Sequence, residues 1–427
     1  MFAKGWLLSV ALSCVAALGA AALAEPFEFV HEASRHNNLL PVWLEFQHRE
    51  REYLANDEFK QKYVAARSWV NTYLGEYRAA LGVGEPMAGE EDPESKNYRP
   101  VDAVEAIAAA ARDRRVVMIN EDHRDSSHRA FTTELLPVLR KQGFRYLAAE
   151  AFGPDVEAAR YPKVGRDFTD DPVFGDMVRR ALELGYTLVP YEAPSECSAA
   201  ELKAFNTNGS AAILGNNCME GRELGQARNL ARFIESHPGE KLLVHVGGSR
   251  NAKIDFIFGK LMGLNFRELT KIDPLSIDQI QMSEGAGARP EYWAVAAQYS
   301  DRTAAFALQS KKGFYPEDDG MDISVMHPHA KYENGRPVWL STGGWRKAAP
   351  IGQLPAYRAA APEIRKAGTV ILQVFGVNDS ADAVPIDQFL ITDPSKPAAV
   401  MAPLGKYRVR VIDREGRVLV GFEIGVS

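Results

Sequence analysis

Glu121 and His123 stand one residue apart, and Glu150 follows after a spacer long enough for a helix. An imidazole flanked by carboxylates suits general-base chemistry, because an adjacent anion fixes the tautomer and favours the imidazolium that forms on proton abstraction. The same three residues, Glu121, His123 and Glu150, could instead ligate a divalent metal ion, although this spacing is less specific than a paired-histidine motif. Glu192, His245 and Arg250 also fall at the ends of apolar runs or just beyond them, and Arg129 and Arg222 lie on the helices expected nearby. Arg250, Arg222, Glu192, His245 and Arg129 are therefore the candidate substrate contacts. Each residue alone has a simpler reading: Glu121 could cap a helix, His123 could sit in a solvated loop, and Glu150 could pair with an arginine. Together they point to a site, since burying several carboxylates without partners is costly.

The elements that must position them are legible in the stretch 115–150. Val116 to Ile119 is a short unbroken apolar run, the pattern of a strand buried on both faces of a parallel sheet. Phe131, Leu135, Val138 and Leu139 recur at helical spacing, so a helix is expected over about Ser126–Gln142, with Gly143 as its stop. Tyr146 to Ala149 then forms a second buried strand that ends on Glu150. In a βαβ unit both strand ends open on one sheet edge, where the ligand sites of open α/β folds lie.

The rhythm continues with a helix over Pro172–Leu184, a strand over Tyr186–Tyr191, a helix over Glu220–Ser236 and a strand over Lys241–Val246. Gly247-Gly248-Ser249-Arg250 follows, and a further helix is expected to run to Met262. The fold class is α/β, a mostly parallel sheet with helices on both faces. Before it, residues 25–98 read as an aromatic-rich helical segment and linker, and a helix over Val101–Arg112 leads into the core, taken as residues 99–345. Beyond Leu264, Trp293–Gln298 and Thr303–Gln309 read as strands of an antiparallel edge. Residues 346–427 show alternating and apolar runs at Thr369–Gly376, Ile386–Thr392, Tyr407–Asp413 and Val418–Val426, a small β domain without evident chemistry.

Residues 1–24 carry one lysine, an apolar run and Ala22-Leu23-Ala24, the grammar of a cleaved secretory signal peptide. Cys14 sits in a poor lipobox. Export places the mature chain in the periplasm or outside the cell, with no membrane span after cleavage. Cys197 and Cys218 are then the remaining cysteines, and either a disulfide or two buried thiols fits them. The formal net charge is −6, and without a lysine- or arginine-rich run it argues against nucleic acid as a partner. His327 and His329, in Met326-His327-Pro328-His329, are spaced like metal ligands but have no other ligand nearby in sequence, and read as structural.

The motifs Asn120-Glu121-Asp122-His123, GFRYLAAE ending on Glu150, RELGQARNLARFI from Arg222 and KLLVHVGG resemble the superfamily of erythromycin esterases, ChaN haem-binding proteins and TraB/TIKI proteins. The resemblance spans about Val101–Met262, and KIDPLSIDQIQMSE resembles a continuation found in exported bacterial relatives. It implies that Glu121, His123 and Glu150 are the site acids and histidine. Two positions depart from the pattern: Asn120 replaces the usual glycine, and Arg250 stands where many members carry a histidine, which removes a metal ligand or second acid/base. The implied function is hydrolysis of an ester or amide in a small molecule or peptide, with His123 as general base, Glu121 and Glu150 assisting it or holding a metal, and Arg250 binding an oxyanion or carboxylate. The alternatives are haem or metal-ion binding of ChaN type, or a non-catalytic binding protein on the same scaffold.

Overall fold

The structure is a computed structural model that describes residues 23–82, 89, 93–153, 156, 162–164, 167–193, 217–256, 259–285, 287–317, 320–380, 382–396 and 398–427, with the backbone alone at 217–219. The signal-peptide reading and the Cys197–Cys218 pairing lie outside the described residues or side chains. Among the described residues no helix is long and apolar enough to cross a membrane.

The centre is a six-stranded sheet in which every pairing is parallel. Its strands are β1 (Val116–Glu121), β2 (Phe144–Ala149), β3 (Thr187–Pro190), β4 (Lys241–Gly247), β5 (Leu275–Asp278) and β6 (Ile323–Ser324), in the order β6-β5-β1-β4-β2-β3. Helices cover both faces, as the unbroken apolar runs require. Val117, Ile119, Leu147, Leu243 and Ile277 pack on one face with α1 (Ala103–Ala111), α2 (Ser126–Lys141) and α3 (Pro172–Glu183). Val116, Met118, Ala148, Leu242 and Val244 pack on the other with α4 (Asn217–Ser236) and α5 (Met262–Thr270). Because strand side chains alternate, this parity also decides where the polar ends point. Glu121 and His245 fall on the α2 face, and Glu150, one residue past Ala149, falls on the α4 face.

The small C-terminal sheet is antiparallel, with strands at Val370–Gly376, Asp387–Ile391, Gly405–Ile412 and Val418–Val426. Here alternation sorts two cores. Val370, Leu372, Val374 and Val409 pack with the helix Pro355–Ala367, whereas Ile371, Leu390 and Ile412 meet the N-terminal helices. Those helices bury the aromatic stripe, with Tyr53 and Tyr63 stacked at 4.8 Å and Phe46 edge-on to both. The N-terminal segment thus covers one face of the C-terminal sheet.

Several local expectations are corrected. Residues 292–298 form a helix, Tyr292–Gln298, with Tyr292, Val295 and Ala296 buried on one side. The helix expected to end at Met262 begins there instead, after a hairpin of Asp255–Phe256 and Gly259–Lys260. The helix expected over Val101–Arg112 is present as α1 (Ala103–Ala111), but it follows a strand, Arg99–Asp102, whose Asp102 caps α1 by accepting from the Glu105 N–H. That strand, Phe306–Ser310 and Gly313–Tyr315 make a separate antiparallel sheet.

Candidate functional site

β1 delivers Glu121 to the C-terminal edge of the sheet, where its side chain is 1% exposed. Glu121 Oε1 lies 2.7 Å from His123 Nδ1, and Oε2 lies 2.7 Å from His245 Nε2. Arg129 clamps the same carboxylate, with Nε donating to Oε2 at 2.7 Å and Nη2 to Oε1 at 3.0 Å. Burial would push the Glu121 carboxyl up, but the Arg129 charge and the two imidazoles overcome it and hold the group well below the usual carboxylate range. An ionised carboxylate only accepts, so the His123 nitrogen facing it carries the proton and Nε2 is the basic nitrogen of the neutral ring.

The support continues beneath. Arg129 is wholly buried and also donates to Asp171 Oδ2 at 2.6 Å and to the His123 carbonyl at 3.0 Å. Asp171 caps α3 through the Val173 N–H and accepts from Ser126 Oγ at 2.9 Å. His245 contacts Thr132 Oγ1 at 3.2 Å through its second nitrogen, and Phe174 closes over both His245 and Arg129. Arg129 and His245, read from the sequence as substrate contacts, are instead sealed under Glu121 and closed to any substrate. Asp125, not Glu121, caps the helix that follows β1, by accepting from the Ser127 N–H.

Glu150 faces the other way and is held by three donors: Arg222 Nη2 at 2.6 Å, Arg250 Nη1 at 2.9 Å and the Gly247 N–H at 2.9 Å. Burial raises its pKa, but the Arg250 and Arg222 guanidiniums, with the His123 imidazole beside them, outweigh it and the group stays below the usual range. Arg222 bridges on to Glu192, which also takes Gln226 from the next turn of α4. Arg250 reaches Glu223 Oε1 at 2.7 Å, and Glu223 Oε2 accepts the Met262 N–H at the start of α5. Burial raises the Glu223 carboxyl despite Arg250 beside it. Arg250 thus knits two carboxylates together. Asn120 ties β1 to β5 through Asp278 and Gln279.

The two halves meet at Gly247, where the His123 ring and Glu150 Oε2 come within 3.0 Å of the position a β-carbon would take. The structure therefore brings Glu121, His123, Glu150, Glu192, Arg222 and Arg250 to one edge. It does not arrange Glu121, His123 and Glu150 as a metal-ligand set. Their carboxylate oxygens are taken by guanidinium, imidazole and amide donors, and a cation there would face Arg129, Arg222 and Arg250. Among the described residues no group of three or more histidine, cysteine or acid side chains is placed to hold a metal ion. Asp171 was missed in the sequence because nothing local marks it: its partner Arg129 is on another element.

No family model matches the chain, and no curated protein matches it. Three solved structures resemble it loosely. The type III effector HopBA1 is 15% identical and overlaps 56% of this chain and 99% of its own, with a TM-score of 0.35. Two structures of bacterial protein toxins are 17% and 16% identical, each with a TM-score of 0.31; they overlap 53% and 52% of this chain, which spans 46% and 45% of theirs. At these scores the overlap says nothing of function.

Proposed function

We propose that this protein is an exported hydrolase of an ester or amide bond, in which His123 is the general base and Glu121 its orienting anion. The observation that supports this reading is the 2.7 Å bond from His123 Nδ1 to a carboxylate that is itself immobilised by Arg129 and His245. A base held in one tautomer by a fixed anion is the arrangement that proton abstraction from water requires. His123 Nε2 takes a proton as the water oxygen attacks the carbonyl carbon, and the imidazolium returns it to the departing alcohol or amine. Glu121 stabilises the imidazolium in between. Among the described residues the metal-dependent variant of this mechanism finds no fitting ligand set, so no step here is routed through an ion.

Arg250, partly exposed on the wall shared with Glu150, is the candidate to stabilise the developing oxyanion. Glu150 serves as the anchor that fixes Arg250 and Arg222. The substrate class is a small molecule or peptide, the motif resemblance to erythromycin esterases favours hydrolysis, and the signal-peptide grammar of residues 1–24 favours action outside the cytoplasm.

The test is a panel of esters and amides incubated with the wild-type mature protein and with His123→Ala. Turnover by the wild type that falls at least about 100-fold in His123→Ala supports the assignment. Undiminished turnover in the variant, or none in the wild type across the panel, overturns it.

A further inference from the structure

The C-terminal sheet holds two arginines side by side. Arg408 and Arg410 alternate with Val409 and Val411 along the strand Gly405–Ile412, so the valines enter the core with the helix Pro355–Ala367 and the arginines stand on the other face. Across the ladder, Phe375 is opposite Arg408 and Gln373 is opposite Arg410. Arg410 Nε donates to Gln373 Oε1 at 2.8 Å, and its guanidinium carbon lies 4.9 Å from the centre of the Phe375 ring. Gln373 is wholly buried and donates to the Asn37 carbonyl at 2.8 Å, which fixes the anchor. Arg408 donates to the carbonyls of Gly376 and Asp379. The two guanidiniums are thus held near one ring.

Every anchor of this pair is a neutral oxygen, and neither arginine forms an ion pair among the described residues. Arg410 is half-buried, and burial together with the like charge of Arg408 lowers its pKa. The acids nearby do not answer that charge. Asp379 turns its carboxylate to the Gly376 N–H at 2.9 Å and to Arg179 at 3.4 Å. Glu423 is exposed opposite Arg408 on the strand Val418–Val426 and makes no ion pair with it. Opposite Arg410 stands Gly421, which brings no side chain, and a β-carbon there would meet only the Val409 carbonyl, at 3.7 Å. The gap is part of an open groove of about 430 Å³ lined by Phe375, Ser380, Arg408, Arg410, Phe422 and Glu423.

We propose that this groove binds a phosphate group, free or carried on an organic body, bridged by the guanidiniums of Arg408 and Arg410. Two like charges held close on neutral anchors repel, and a dianion between them relieves both. The planar guanidinium also presents paired N–H donors that match the oxygens of a phosphate. The site contains none of the residues of the His123 centre and does not depend on that centre being catalytic.

The experiment is isothermal titration of the full mature chain at low ionic strength with inorganic phosphate, with phenyl phosphate and with the neutral benzyl alcohol. The proposal expects one saturable site for a phosphate ligand with a Kd below about 1 mM, and no saturable binding of the alcohol. Equal affinity for the two phosphates assigns the site to the free ion, whereas phenyl phosphate at least about tenfold tighter assigns it to an ester whose body lies in the groove. Gly421→Glu sets a carboxylate opposite Arg410 at a position with room for it, and should weaken binding at least about tenfold, as should Arg408→Gln. His123→Ala should leave it unchanged. Circular dichroism checks the fold of each variant, and Gly421→Glu keeps both arginines in place. Absence of saturable phosphate binding up to about 10 mM, alcohol binding as tight as either phosphate, or full affinity in folded Gly421→Glu or Arg408→Gln overturns the proposal.

Discussion

The imidazole of His123 occupies the space a side chain at residue 247 would need: a β-carbon on Gly247 would lie 2.2 Å from Cε1 and 2.4 Å from Nε2. The glycine at the end of β4 is thus required by the ring beside it. Gly247→Ala must displace His123 or bend β4, and misplacing a reacting group by about 1 Å can cost roughly 100-fold in rate. The expected result is a kcat lower by about that factor in a variant that remains folded by circular dichroism, measured on whichever ester or amide the wild type turns over.

Glu121→Gln removes the anion that faces Arg129 and His245 in a wholly buried network. Breaking one partner out of a buried pair leaves an uncompensated charge and costs about 3–5 kcal/mol. Urea unfolding should therefore show a large loss of stability. If the proposed hydrolysis holds, protein that remains folded should lose kcat with KM little changed, since Glu121 is buried behind His123.

Acid should unfold the protein through the same carboxylates. Glu121 and Glu150 titrate below their unfolded value near 4.5, so their contribution is complete above that pH and is lost as pH falls through their lower folded values. Thermal unfolding from pH 6 down to pH 3 should show a steep loss in the wild type and a shallower slope in Glu150→Gln, whose stability is already reduced at pH 6.

Glu134 has the opposite sign. Its folded value of about 7 exceeds the unfolded one, so stability is lost as pH rises from about 4.5 through 7. Glu134→Gln should be more stable than the wild type at pH 8, by on the order of 1–3 kcal/mol, with the difference vanishing near pH 4. Paired melting curves at the two pH values measure this directly.

Much of this arrangement is readable in the chain because parallel strands buried on both faces write themselves as apolar runs. Val116–Ile119 and Tyr146–Ala149 end where the chemistry begins, so Glu121, His123 and Glu150 are found from spacing alone. The direction each side chain takes is harder. It depends on register across β1, β4 and β2, which pairs Ile119 with His245 and Ala149 with His245. Arg129 looked able to reach the cleft, yet fills the space beneath Glu121, because Asp171, a distant helix cap, holds its other end. Trp293–Gln298 is a short apolar stretch that reads as a strand, but burial of Tyr292, Val295 and Ala296 on one side rewards a helix. After β4, Asn251 turns inward to donate to the carbonyls of Met118 and Ile277, which anchors the loop between β1 and β5 and delays the next helix to Met262.

The most direct test of the central claim is chemical rescue of His123→Gly by free imidazole. If His123 is the general base, the glycine variant loses turnover and added imidazole restores it in a saturable, concentration-dependent way, while imidazole leaves the wild type unchanged. A variant as active as the wild type without imidazole, or one that stays folded and inactive at every imidazole concentration, would contradict the account.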